Sequence, residues 1–125
     1  MSPEPADFWL RAQDTLAVAE ALLSLSPNSC ASRAYYAAFY AVSALFALDG
    51  RTFKKHTGVE AAVHKDLVQT GRWSIELAGD YSELARLRMT GDYGGGRHVT
   101  PEQAAEAVDR ARRIVAAVQA ALPLD

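Results

Sequence analysis

Arginine, aspartate and tyrosine side chains that could bind a phosphate group stand close together in residues 86–98, RLRMTGDYGGGRH. Arg88 follows Leu84 by four residues and so continues the apolar stripe of a predicted helix. Arg86 lies about 200° away around that helix and should face solvent. A guanidinium on an apolar stripe needs a partner, and Asp92 stands one helical turn further on. The spacing therefore predicts an inward-facing Arg88 and an outward-facing Arg86.

The Arg88–Asp92 pair has two interpretations, and the sequence leaves both open. It is either a structural ion pair that holds the end of the helix, or part of a cleft in which the arginine binds phosphate. Tyr93, the next residue, belongs to the same candidate site. Residues 94–96 are glycines without the strand and the Gly-Lys-Ser/Thr ending of a P-loop, so they are predicted to form a connector. His98 either folds back toward Arg88 through that connector or lies exposed.

A second group of charged residues lies in residues 51–58, RTFKKHTG. Arg51, Lys54, Lys55 and His56 concentrate positive charge in this connector, and such a concentration suits a phosphate-bearing ligand. The alternative is a solvated loop whose charges serve only solubility. The sequence does not decide between these two interpretations.

Metal binding, nucleophilic catalysis and a bound cofactor are not expected. His56, His64 and His98 are far apart in the sequence, no histidines are paired at i,i+4 spacing, and there is no cysteine cluster. Cys30 is the only cysteine and lies in an apolar helical run, so we expect a small core residue. No serine stands in a nucleophile-elbow context.

The elements that position these residues are all predicted to be helices. The last of them has the clearest start, because Thr100 can cap it, Pro101 suits its first turn and Gln103 can complete a capping box. The second is apolar around most of its circumference, which is typical of a central helix. We therefore expect one domain, residues 1–125, with an all-α fold: an antiparallel up-and-down bundle of four to five helices. The predicted helices run from about Glu4 to Leu25, Asn28 to Leu48, Val59 to Thr70, Trp73 to Met89 or slightly beyond, and from Thr100 onward.

Charge and hydropathy narrow the class of protein. Thirteen lysines and arginines against fifteen aspartates and glutamates give a formal net charge of −2, which argues against a broad nucleic-acid-coating surface but not against a local basic site. No apolar run approaches the roughly 18–20 residues of a membrane span. The first residues show neither the basic nor the apolar region of a signal peptide, so a cytoplasmic protein without a membrane segment is expected.

Three motifs in this order, SRAYYAAFYAVSALFALDG, KKHTGV and LARLRMTGDYG, resemble the HEPN domain superfamily. The resemblance spans about Ala6 to Ala121 and is greatest to the small stand-alone bacterial and archaeal HEPN proteins. It implies an antiparallel helical bundle that commonly forms a homodimer. Many HEPN proteins are metal-independent ribonucleases. Others resemble the substrate- or nucleotide-binding partner of a minimal nucleotidyltransferase, often in a toxin–antitoxin pair.

The ribonuclease motif of that superfamily is an arginine, four to six residues, and then a histidine, often followed by x-Tyr, near the end of the penultimate long helix. RLRMTGDY occupies that place here, yet no histidine follows: counted from Arg86 the position holds Gly91, and counted from Arg88 it holds Tyr93, Gly94 or Gly95. Catalysis by the standard mechanism of the superfamily is therefore not expected. Arg51 and His56 match the spacing, but they follow helix 2, where the motif does not belong.

Three functions remain. The favoured hypothesis is a HEPN-like protein that binds nucleotide or RNA at a dimer cleft lined by Arg88, Asp92, Tyr93 and the Lys54–His56 loop, as a component of a toxin–antitoxin or nucleotidyltransferase-partner system. By analogy with the tyrosine of the superfamily motif, Tyr93 could also accept a nucleotidyl group from a partner enzyme. The alternatives are a metal-independent ribonuclease in which Asp92 or His98 is the acid/base, and a non-catalytic dimeric interaction module.

Overall fold

The computed structural model describes residues 1–124, which form five α-helices joined by short connections. α3 continues directly into a π-helical segment, Val63–Val68. No strand occurs within residues 1–124, so the all-α prediction is confirmed, and none of these helices is long and apolar enough to cross a membrane. The α-helices are α1 Pro3–Leu22, α2 Pro27–Ala47, α3 His56–Ala62, α4 Ile75–Tyr93 and α5 Pro101–Ala121.

Side-chain hydroxyl groups cap the N-termini of three of the long helices. The side chains of Ser26 and Ser74 each accept a hydrogen bond from the backbone N–H three residues later, at 3.3 and 3.1 Å, at the starts of α2 and α4. Thr100 and Gln103 form the predicted capping box at the start of α5. Each cap satisfies N–H groups that the first turn of a helix leaves unpaired. The cap at Ser74 also explains why α4 begins at Ile75, two residues later than predicted.

α2 lies at the centre of the bundle and packs against α1, α4 and α5. Its buried positions are mostly alanines, which let the neighbouring helices approach closely, and its larger buried side chains are Tyr35, Val42, Leu45 and Phe46. Cys30 has no exposed surface and lies in this core, as predicted. The central position follows from the nearly continuous apolar circumference of α2, because each apolar side of a helix must be covered by another element.

Two further helix limits differ from the prediction, by three residues each. α3 begins at His56, three residues before the expected Val59, and α1 ends at Leu22, three residues early. Gly58 weakens the local helix propensity at the start of α3. The His56 ring nevertheless packs on Phe39 with ring centroids 4.6 Å apart, and this tertiary contact outweighs the propensity.

α4 extends one turn beyond the predicted Met89 and ends at Tyr93. The last turn lies against the start of α2 at Gly91. A Cβ atom placed on Gly91 would come within 2.6 Å of the backbone carbonyl oxygen of Asn28, so only glycine allows this approach. Asp92 and Tyr93 are therefore part of a packed helix and not of the glycine connector.

An ion-pair cluster that the sequence reading did not single out joins α4 to α5. The buried carboxylate of Asp80 accepts hydrogen bonds from Arg110 at 2.8 Å and from Arg113 at 2.9 and 3.0 Å. Burial disfavours the ionised form of Asp80, but the hydrogen bonds and charges of the two guanidinium groups outweigh this effect. The pKa of Asp80 is therefore below its ordinary value. This cluster ties the first half of α4 to α5.

Candidate functional site

Arg88 faces inward and Arg86 faces solvent, as the helical spacing predicts. The side chain of Arg88 is 16% exposed and that of Arg86 is 57% exposed. Arg86 forms its ion pair with Glu83 on the outer face of α4. The two arginines therefore have different surroundings although they are two residues apart.

Arg88 is held by a carboxylate, a phenol and aromatic rings. Its Nε donates to Asp92 Oδ2 at 3.1 Å, which confirms the predicted ion pair, and its Nη2 donates to the hydroxyl of Tyr36 on α2 at 3.1 Å. The guanidinium carbon lies 5.4–5.6 Å from the ring centroids of Tyr35, Tyr36 and Tyr93. Burial alone would lower the pKa of Arg88, but the tyrosines and Asp92 raise it, so the side chain stays charged.

His56 lies beside two of the same aromatic rings and beside Phe39. Its imidazole is 4.6 Å from the ring centroid of Phe39, 5.5 Å from that of Tyr36 and 5.8 Å from that of Tyr35. Burial, with the nearby charge of Arg88, lowers the pKa of His56. The imidazole is therefore neutral at pH 7 and keeps one nitrogen as a hydrogen-bond acceptor.

His56 and Arg88 line one cavity of about 140 Å³ that is open to solvent, although 32 positions separate them in the chain (88 − 56). The structure thus brings together the two charged segments that the sequence shows separately. It also places a histidine beside the arginine of α4, but this histidine comes from α3 and not from the same helix. The cavity is lined by Tyr35, His56, Thr57, Glu60, Ala85, Arg88 and Met89.

Glu60 and Tyr81 add two polar groups that the sequence analysis did not select. Glu60 lines the cavity one helical turn after His56. Tyr81 lies behind Tyr35, with ring centroids 5.9 Å apart, and its buried hydroxyl lies near Tyr35 but forms no hydrogen bond of normal geometry within residues 1–124. Burial raises the pKa of Tyr81 far above its ordinary value, and the neighbouring Tyr35 and Glu60 add to this effect.

The remaining predicted site residues lie at the rim or elsewhere. Tyr93 does not line the cavity, but it is 66% exposed and its ring lies near Arg88. Lys54 and Lys55 are exposed and directly precede His56 in the chain. We therefore describe Asp92 and Tyr93 as the rim of the site, with the two lysines in the segment that leads into it.

Arg51 and His98 lie apart from the cavity. Arg51 donates to Asp66 at 2.8 Å and stacks on Phe46 and Phe53. Arg51 and His56 match the arginine–histidine spacing in the sequence, but their side chains do not pair in the structure. His98 does not fold back toward Arg88. Its Nδ1 lies 2.9 Å from the side-chain amide nitrogen of Asn28, at the start of α2.

One of the missed residues, Glu60, carried a signal in the sequence. His56 and Glu60 are spaced i,i+4, so the two side chains lie on one face of a helix. This inference requires knowing that the helix begins at His56. Tyr35 and Tyr36 are assigned to the apolar stripes of α2, and nothing in that pattern indicates that a tyrosine hydroxyl meets Arg88. Within residues 1–124, no three histidine, cysteine, aspartate or glutamate side chains are close enough to hold a metal ion.

The fold and the site define an all-helical bundle with an arginine–histidine cleft between α2, α3 and α4. The model of the HEPN domain family matches residues 6–121, so the chain belongs to the HEPN family and the resemblance of its three motifs is confirmed. The crystal structure of TT1696 from Thermus thermophilus has the same fold, with a TM-score of 0.84 and 22% identity over 97% of this chain and 100% of that one.

Curated relatives extend the comparison. A UPF0332 protein of Thermotoga maritima is 42% identical over 90 residues, which cover 70% of this chain and 68% of that protein. A UPF0332 protein of Gloeobacter violaceus is 34% identical over 111 residues, 85% of each chain. A Methanocaldococcus jannaschii protein named "Putative toxin MJ0142" is 34% identical over 73 residues, 58% of this chain and 50% of that protein.

Proposed function

We propose that this HEPN protein binds a phosphate-bearing ligand, a nucleotide or RNA, at the cavity between α2, α3 and α4. The observation that carries the proposal is the unused hydrogen-bonding capacity of Arg88. A guanidinium has five N–H donors, and here Nε and Nη2 each serve one oxygen acceptor. Nη1 points to the Met89 sulfur at 3.9 Å, which is a weak acceptor.

The geometry favours an anion with several acceptor oxygens. Arg88 is pre-positioned by Tyr36 and Asp92, so little side-chain entropy is lost when the guanidinium binds a ligand. Phosphate oxygens match the fork of a guanidinium, and charge-assisted bonds of this kind are about twice as strong as neutral ones. Lys54 and Lys55, exposed just before the cavity, add long-range attraction for the same charge.

The binding proposal is tested with Arg88→Ala and a matched control, Arg86→Ala. Both variants remove one arginine from α4, but only Arg88 lines the cavity. With a fluorescent RNA oligonucleotide or nucleotide as probe, we expect at least tenfold weaker binding by Arg88→Ala and nearly unchanged binding by Arg86→Ala. Equal binding by the wild type and both variants would contradict the site.

We further propose that the chain acts in a paired system of the toxin–antitoxin type, in the cytoplasm, as a homodimer. Support comes from membership of the HEPN family together with the relative named as a toxin. A minimal nucleotidyltransferase is the partner expected from the family resemblance. The exposed Tyr93 hydroxyl is accessible to such an enzyme, and transfer of a nucleotidyl group to it would release pyrophosphate. Incubation with the partner and ATP should add the mass of AMP to the wild type but not to Tyr93→Phe, and an unmodified wild type would refute this role.

Metal-independent ribonuclease activity is the second candidate, favoured by one observation: a neutral histidine shares the cavity with the arginine. His56 can accept the proton of a 2′-hydroxyl group, while Arg88 stabilises the negative charge on the phosphate. His56 therefore replaces Asp92 and His98 as the acid/base that we would test first. RNA cleavage in the presence of a chelator should be lost in His56→Gln and in Arg88→Ala, and should persist in His64→Gln. RNA that stays intact with the wild-type protein excludes this activity.

A further inference from the structure

Glu60 is the charged residue of the cavity that the proposed phosphate site does not use. It lies on α3 one turn after His56, and its side chain lines the same cavity as Arg88. Within residues 1–124 its carboxylate has no ion-pair partner, whereas the Asp92 carboxylate is paired with Arg88 at 3.1 Å. An ionised carboxylate only accepts hydrogen bonds, so Glu60 offers acceptors to whatever enters the cavity.

The cavity therefore has two different polar ends. Arg88 supplies donors for an anion, and Glu60 supplies acceptors for a group with N–H or O–H donors. Inorganic phosphate would satisfy the first end only and would be repelled by the second. A nucleotide satisfies both, because its phosphate is anionic and the edge of its base can donate hydrogen bonds.

We propose that the cavity binds the base of a guanine nucleotide, with Glu60 accepting from its N1–H and 2-amino groups while Arg88 binds its phosphate. This inference rests on the phosphate site proposed above. Guanine alone among the four RNA bases has two adjacent donors on its Watson–Crick edge, and these match the two oxygens of one carboxylate. Adenine and cytosine place a single amino group beside an acceptor, and uracil has one N–H between two carbonyl oxygens, so each of them sets an oxygen or nitrogen lone pair against Glu60.

The rest of the cavity wall suits a flat ring. Tyr35, Ala85 and Met89 provide apolar surface, and the neutral imidazole of His56 provides a ring on which a base can stack. A cavity of about 150 Å³ accommodates one benzene ring. The volume here is about 140 Å³, enough for the six-membered ring that carries the N1–H and 2-amino groups, and the open side leaves room for the remainder of the nucleotide.

The experiment compares GMP, AMP and ribose 5-phosphate by isothermal titration calorimetry against the full chain. We expect GMP to bind about ten- to a hundredfold more tightly than AMP, the effect of hydrogen bonds to a charged acceptor. Glu60→Gln keeps the size of the side chain but presents an amide donor to the N–H groups, so the preference for GMP should fall at least tenfold. Ribose 5-phosphate should bind the wild type and Glu60→Gln alike. Glu76→Gln, which changes an exposed carboxylate on α4, is the matched control and should behave as the wild type.

The outcomes separate the base site from the phosphate site. If ribose 5-phosphate binds in an Arg88-dependent manner but GMP and AMP bind equally, the guanine assignment is wrong and the phosphate site stands. A GMP preference that survives Glu60→Gln also refutes the role of Glu60. If none of the three ligands binds, the guanine assignment fails, and the RNA titration of Arg88→Ala and Arg86→Ala decides the phosphate site on its own. Circular dichroism and thermal melts of each variant establish that it is folded.

Discussion

The contact between Gly91 and Asn28 determines where the last turn of α4 lies, and Gly91→Ala tests it. A Cβ atom at this position would meet the Asn28 carbonyl oxygen at 2.6 Å and the carbonyl carbon at 3.4 Å. These are backbone atoms at the start of α2, so they cannot move aside as the tip of a side chain would. Either the end of α4 tilts away from α2, or the first turn of α2 is displaced.

The magnitude follows from two opposing effects. Alanine has the higher helix propensity, worth about 1 kcal/mol in favour of the variant. Overpacking against a fixed backbone costs typically about 1–3 kcal/mol, and a contact this short lies at the upper end. We therefore expect the free energy of unfolding to fall by about 1–2 kcal/mol, the difference between these two effects. The ligand affinity should fall as well, because the displaced turn carries Asp92, which positions Arg88.

Gly79→Ala is the matched control, because Gly79 lies in the same helix and a Cβ atom there meets nothing within 4 Å. This variant should gain about 0.5–1 kcal/mol from helix propensity alone. Urea unfolding followed by circular dichroism measures both changes as shifts of the midpoint at constant slope. The opposite signs are the critical result: if Gly91→Ala is as stable as Gly79→Ala, α4 does not pack on α2 in the way that places the site.

Three further predictions concern titration and burial. Because the pKa of His56 is lowered in the folded protein, the unfolded chain binds more protons than the folded one, and the free energy of unfolding should fall as the pH drops below about 6.5. His56→Phe should reduce this fall, measured as the difference between the unfolding midpoints at pH 8 and pH 5. Asp80→Asn should lower the free energy of unfolding, measured in urea, by about 1–3 kcal/mol. Asp109→Asn removes one partner of an exposed ion pair and should lower it by less than about 1 kcal/mol. Tyr81→Phe should raise the free energy of unfolding by about 1 kcal/mol, and with it the melting temperature, because it removes a buried hydroxyl that lacks a well-formed hydrogen bond.

Local rules of helix geometry predicted part of the site from the sequence. The inward Arg88, the outward Arg86 and the Arg88–Asp92 pair depend only on the 3.6-residue period of one helix. The capping box at Thr100 also depends on neighbours within one turn. These predictions are confirmed because the interactions that decide them lie within a few residues of each other.

Contacts between helices could not be predicted from these local rules. That the Tyr36 hydroxyl meets Arg88 depends on the rotation of α2 relative to α4, and the partners of Asp80 depend on the packing of α5. The start of α3 was predicted three residues late because its first turn is stabilised by Phe39 and not by a local cap. That error placed His56 in a loop and so hid its alignment with Glu60 on one face of α3, although the loop itself was expected to line the same cleft as Arg88.

The absence of a histidine after Arg88 in the sequence therefore does not mean that the arginine lacks a histidine in space. A motif of fixed spacing detects only pairs on one helix, whereas His56 reaches the same cavity from α3. The two arrangements differ physically. A histidine on the helix of the arginine would sit at the rim with Asp92 and Tyr93, but His56 packs against three aromatic rings, and burial together with the charge of Arg88 lowers its pKa. An arginine, a neutral imidazole and an unpaired carboxylate then face one small cavity, and this combination favours a ligand with both an anionic group and hydrogen-bond donors over a simple anion.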